Sequence, residues 1–226
     1  MKKVLLAATL LVGFAAAAQA ATIVGTKHDL SSGIVSANSV HSSTQNQTCV
    51  FCHAPHNATT AKLLWNRVAL SGAAQRIYTS YNTGAMRTAL TQSALGDDSS
   101  SLLCLSCHSL ATSAAVINNT SNSKGGTAAT YTGLTFPSVT GSMTNLTNDH
   151  PVGIDYQAAQ TVVGAAGLIA PVGGKVGSTL RLFKSAVSAT NSMECASCHS
   201  VHDNANGKFL AMSNANSALC TQCHVK

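Results

Sequence analysis

All eight cysteines of this 226-residue chain fall into four C-x-x-C pairs, and a histidine follows every pair. The units read Cys49-Val-Phe-Cys52-His53, Cys104-Leu-Ser-Cys107-His108, Cys195-Ala-Ser-Cys198-His199 and Cys220-Thr-Gln-Cys223-His224. Two thiols three residues apart lie on one side of a helical turn. There they can add to the two vinyl groups along one edge of a haem, and the next residue sets an imidazole under the iron. C-x-x-C-H is the c-type haem attachment pattern. Zinc ribbons also pair C-x-x-C units, but nothing in zinc chemistry demands a histidine after each. A disulfide scaffold suits an exported chain yet imposes no repeated pentapeptide, and a thioredoxin-like motif would occur once. The expectation is four covalently attached haem c groups, with His53, His108, His199 and His224 as proximal ligands.

The sixth ligand of each iron controls what such a site can do: methionine raises the potential, and an open position admits substrate. Five histidines remain, His28, His41, His56, His150 and His202. They suffice for bis-His ligation throughout, with one over. Met86, Met143, Met193 and Met212 lie in contexts that give ligation no support and read as packing residues. His56 follows His53 by three, and His202 follows His199 by three. On a shared helical face such residues have Cβ atoms about 5–6 Å apart. The second histidine cannot reach the far face of its neighbour's iron without passing through the porphyrin, so it serves an adjacent haem. Each H-x-x-H is therefore expected to hold two haems side by side, irons roughly 10 Å apart, giving two close pairs, one near each end of the chain. Pro151 biases His150 to an extended backbone, and Asp149 could orient its ring. His28 also stands beside an acid, Asp29. His41, without a helpful neighbour, is left out of the ligand set.

The elements that must position these groups are sparse. Only 9% of residues are charged and 4% aromatic, too few for an ordinary core. The expected fold is a multihaem cytochrome c: mostly irregular loops, short helices at the haem motifs, a few short strands, and a core built of stacked haems. Removing haem should leave the chain disordered. Leu63, Leu64, Trp65, Val68 and Leu70 are spaced for a partly buried helix. The stretch 118–148 reads as loop with one or two short strands, and Gly173-Gly174 followed by 176–183 suggests a small hairpin.

The chain opens with a secretory leader. Lys2 and Lys3 precede an uncharged apolar run from Val4 to Ala18, and Ala18-Gln19-Ala20 forms a small-x-small cleavage site. Residues 1–20 are expected to be a signal peptide and 21–226 a single tetrahaem domain without a membrane span. Of the 13 basic residues, two leave with the leader, so 11 stand against 7 acids, a balance of +4. These are dispersed, and the propionates of each ferric haem bring it to about −1, so the charge offsets haem and gives no reason to expect nucleic acid.

Several strings carry a resemblance: Gly-Thr-Lys-His28-Asp-Leu-Ser, Cys-His-Ala-Pro-His56, Asp-His150-Pro-Val-Gly and Cys-His-Ser-Val-His202. From about Gly25 to its end the chain resembles the multihaem outer-surface cytochromes of metal-reducing bacteria, and within them the tetrahaem members that polymerise into extracellular nanowire filaments. The resemblance implies that His28, His56, His150 and His202 are the distal ligands. It also implies haems in alternating stacked and T-shaped contact, and an end-to-end homopolymer in which a histidine of one subunit ligates a haem of the next. Electrons would pass to other redox proteins, metal oxides or electrodes outside the cell. A monomeric periplasmic shuttle would use the same haem chemistry. A reductase acting on nitrite, hydroxylamine or a sulfur oxyanion would need an open iron position. Because all four motifs end in histidine and spare histidines exceed demand, electron transfer without catalysis is expected.

Overall fold

The computed structural model describes residues 23–32, 41–42, 45–54, 58, 64–67, 97–108, 150–186 and 188–226. All four attachment motifs lie among them. His56, Asp149, Met86, Met143, the leader and the stretch 118–148 lie outside.

Each motif coincides with a helical turn, as its spacing requires. The first opens in a 3₁₀ turn, Thr48–Phe51. The second ends helix α1, Ser101–His108. The fourth begins in a 3₁₀ turn, Cys220–Gln222.

The remaining elements run from Ile154 onward. Strand β1, Ile154–Asp155, leads into helix α2, Tyr156–Val163. Asp155 caps that helix by accepting from the Ala158 amide at 3.1 Å, and Gly164, at φ 78°, ends it. Strands β2, Lys175–Val176, and β3, Leu180–Arg181, form the small hairpin expected after the paired glycines. Strands β4, Phe183–Ser185, and β5, Ser188–Met193, pair antiparallel, and β1 adds on the other side of β5 in the order β1-β5-β4. Strand β5 runs through Glu194 into helix α3, Cys195–Cys198, which is the third motif. The sheet therefore aims that motif directly.

Two expectations are corrected. The helix through Leu63–Leu70 is not formed over Leu64–Arg67. Leu64 has a left-handed φ of 52°, and Trp65 pairs with His53 in an antiparallel bridge. A short apolar run carries no firm period of its own, and the long-range bridge decides its conformation. The idea that the chain cannot bury a core of its own fails for the C-terminal half. Ile154, Tyr156, Ala159, Leu168, Val176, Leu180, Leu182, Met193 and Cys223 pack as one buried cluster, with Met212 and Leu219 against it. Val176 and Leu180 are almost fully enclosed, each burial contributing about 1.5–3 kcal/mol. Met193 and Met212 are thus packing residues, as read from sequence. Among the described residues no helix is long and apolar enough to cross a membrane.

Candidate haem-binding site

Three of the four motifs are built on one backbone pattern. The amides of His53, His199 and His224 each donate to the carbonyl of the first cysteine of their own motif, at 2.9, 3.1 and 3.0 Å. The histidine then leaves the turn and enters an isolated antiparallel bridge: His53 with Trp65, His199 with Leu210, His224 with Leu168. In each case the next amide and the second cysteine's carbonyl are taken by residues flanking the bridge partner. Ala54 donates to Leu64 and Asn66 to Cys52; Ser200 donates to Phe209 and Ala211 to Cys198; Val225 donates to Gly167 and Ile169 to Cys223. The clasp holds the histidine backbone on both sides. The second motif differs, with His108 as the last residue of α1.

This pattern alters the H-x-x-H argument. His199 has φ −120° and ψ 138°, so His199 and His202 do not share a helical face. They flank an extended residue and a turn.

Three of the spare histidines nonetheless stand opposite three motif histidines, one to one. Ring centroids lie 6.1 Å apart for His28 and His108, 6.1 Å for His53 and His202, and 6.4 Å for His150 and His224. Two imidazoles bound to opposite faces of one metal would have centres roughly 6 Å apart, from metal–nitrogen bonds of ~2.0–2.1 Å and about 1 Å more to each ring centre. The residues present therefore fit an iron between each pair. Ordinary aromatic packing also occurs at this spacing, as between His53 and Trp65 at 6.0 Å, but it does not select one spare histidine for each motif. His202 faces His53 of the first motif. The two H-x-x-H units thus meet each other, where two separate pairs had been expected. His199 forms no such pair among the described residues, and His56, expected as a ligand, lies outside them.

The imidazoles are prepared for metal. Crowding by protein atoms disfavours the charged form of His28, His108 and His150 and lowers their pKa values; neighbouring histidines add to the effect. The neutral ring is the form that ligates. His199 Nδ1 lies 3.0 Å from the Lys208 carbonyl, and His150 Nδ1 3.2 Å from that of Pro151. Such contacts orient a ring so that Nε2 faces the metal. His28 Nδ1 is buried without a hydrogen-bond partner, while the neighbouring Asp29 carboxylate is engaged within its own loop. Burial raises its pKa, but donors from Ser31, Gly25 and Thr48 outweigh this and hold the carboxyl below its usual range. It ties the His28 loop to the turn of the first motif through Thr48 at 3.3 Å.

The cysteines sit in low-polarity surroundings. Burial pushes Cys52 up to about 12 and Cys198 up to about 11. Neighbouring motifs touch. Trp65 Nε1 and the Arg67 guanidinium donate to the Ser106 hydroxyl and carbonyl, at 3.2 and 3.3 Å, linking first to second. The Cys195 amide donates to Ser101 Oγ at 3.0 Å, linking second to third. The Cys223 thiol adds to the rise at Cys198, so third and fourth are also close. Sequence reasoning missed Glu194, buried at 1% exposure; its only signal was its place at the N-cap of the third motif.

Residues 188–226 match the family described as the doubled CXXCH motif. The match supports a c-type cytochrome. Covalently bound haem c, and with it one-electron transfer, is the chemistry this motif carries. The matched stretch holds the third and fourth motifs together with β5, which leads into them. No curated protein matches the chain.

Proposed function

We propose that the protein is a secreted tetrahaem c-type cytochrome whose irons are all bis-His ligated, and that it transfers electrons without catalysing a reaction. The observation that carries this reading is the one-to-one facing of His28, His202 and His150 with His108, His53 and His224. Under it His202 serves the first haem, His28 the second and His150 the fourth. His56, the one member of the expected distal set left over, is assigned by elimination to the iron on His199; His41 stays outside the set. Haem c, when bound, supplies a ferric/ferrous couple, and bis-His ligation favours a low potential. The chain's part is to supply eight imidazoles as ligands, three of them held neutral by burial at His28, His108 and His150, and to keep adjacent motifs in contact so that the haems stack into a core.

The resemblance to multihaem outer-surface cytochromes supports an extracellular conduit in which subunits join end to end and pass electrons to metal oxides or electrodes. Two measurements test the reading. Intact mass of the exported protein should correspond to cleavage after Ala20 and four haem additions; fewer haems would refute it. Electron microscopy of protein sheared from cells should show long filaments with a regular repeat, whereas monomers alone would leave a periplasmic shuttle.

A further inference from the structure

We propose that Glu194 is a positioning residue of the electron-transfer unit: a buried negative charge, fixed between the second and third attachment helices, that biases both adjacent haems toward their oxidised state. The inference rests on haem being bound at both motifs, as proposed above.

Glu194 is 1% exposed. Its carboxylate accepts from the Ser99 hydroxyl, the Ser101 hydroxyl, the Ser101 amide at 3.2 Å, and the Ser192 hydroxyl at 2.6 Å. The backbone amide of Ser197 donates to the Glu194 carbonyl at 2.9 Å, and Ser197 Oγ accepts from the Glu194 amide at 3.0 Å. All of these partners are neutral. They come from the loop before α1, from α1 itself, from β5 and from α3: the side chain binds the first three and the backbone the last. Ser101 completes the contact by accepting from the Cys195 amide.

Neutral donors replace the water that a buried carboxylate loses, but they leave its charge uncancelled. That charge is already felt by the thiols on either side, Cys104 and Cys195. In a poorly polarisable interior it acts at longer range than at the surface. One electron from a one-electron donor makes either neighbouring site more negative by one unit, with no bond formed or broken. The fixed carboxylate opposes that change, so both sites hold the oxidised form to a lower potential. A capping role alone would secure the helix starts without this electrical effect.

The test is a potentiometric titration resolved by haem, for example by NMR of the oxidised protein, on wild type and Glu194→Gln. Haem content by intact mass comes first: fewer than four haems in wild type would fail the underlying reading and not this one. With four haems and an unchanged low-spin spectrum, E194Q is expected to raise the potentials of the second and third haems. The expected change is about tenfold in their ferric/ferrous ratio at fixed potential, ~59 mV for one electron, with smaller shifts at the first and fourth. Unmoved potentials, or four equal shifts, would overturn the proposal. If E194Q does not load haem, Ser99→Ala decides: it keeps the charge and removes one donor, so the two potentials should stay or fall. A rise would mean that packing at the joint, not charge, sets them.

Discussion

At the level of single residues, the chemistry turns on which imidazole faces which. Under the proposed ligation, His202→Ala strips the sixth ligand from the first haem alone. The ferric protein should then show high-spin iron for about one haem in four, while His202→Met should keep that haem low-spin and raise its potential. Electron paramagnetic resonance with a redox titration reads both. High-spin signal in wild type would instead revive a substrate-binding iron. The motif histidines were legible because attachment is local: thiols and imidazole lie within five residues of one another. The facing of His53 by His202 was not, because spacing within an H-x-x-H says nothing about which distant turn it meets.

Elements bring these residues into place through a few specific docks. The hairpin of β2 and β3 touches the fourth motif through its turn, where Ser178 donates its amide to Gln222 Oε1 at 2.9 Å. Gly177 sits at φ 59°, and a Cβ there would meet the Gln222 side chain at 2.2 Å. Gly177→Ala should cost about 1–2 kcal/mol from backbone handedness alone and push Gln222 off its hairpin. Thermal unfolding should show a lowered midpoint, and limited proteolysis should find earlier cleavage near the C-terminus. The hairpin was readable from its glycines. The failed helix at Leu64–Arg67 and the three bridges that clasp His53, His199 and His224 were not, because each bridge joins segments whose pairing leaves no local pattern.

Over the whole molecule, burial of ionisable groups sets the response to acid. His28, His108 and His150 have lowered pKa values in the folded state, so the unfolded chain binds more protons just below its own value of about 6.5. The stability they contribute is complete above that pH and is lost as pH falls through the lowered folded values. Asp29 behaves alike at lower pH: its contribution is present above about 3.9 and is lost as pH falls through its depressed folded value. Iron bound to these rings under the proposed ligation competes with the proton in the same direction, so the urea midpoint of the holoprotein should decline on acidification below about 6.5 and decline further below about 4. A midpoint that rises between pH 7 and 5 would contradict the burial of these groups.

Read alone, the chain already pointed to haem c chemistry through its four C-x-x-C-H motifs and its further histidines, and to short helical turns at each motif. These follow from contacts within a few residues, where spacing and geometry are the same thing. Only the tertiary structure decided that the two H-x-x-H units meet, that a buried apolar cluster forms around Tyr156 and Met193, and that Glu194 lies at the joint of α1 and α3. Those outcomes depend on how strands, loops and helices distant in sequence dock, and docking is settled by the burial and hydrogen bonding of the whole assembly rather than by any local pattern.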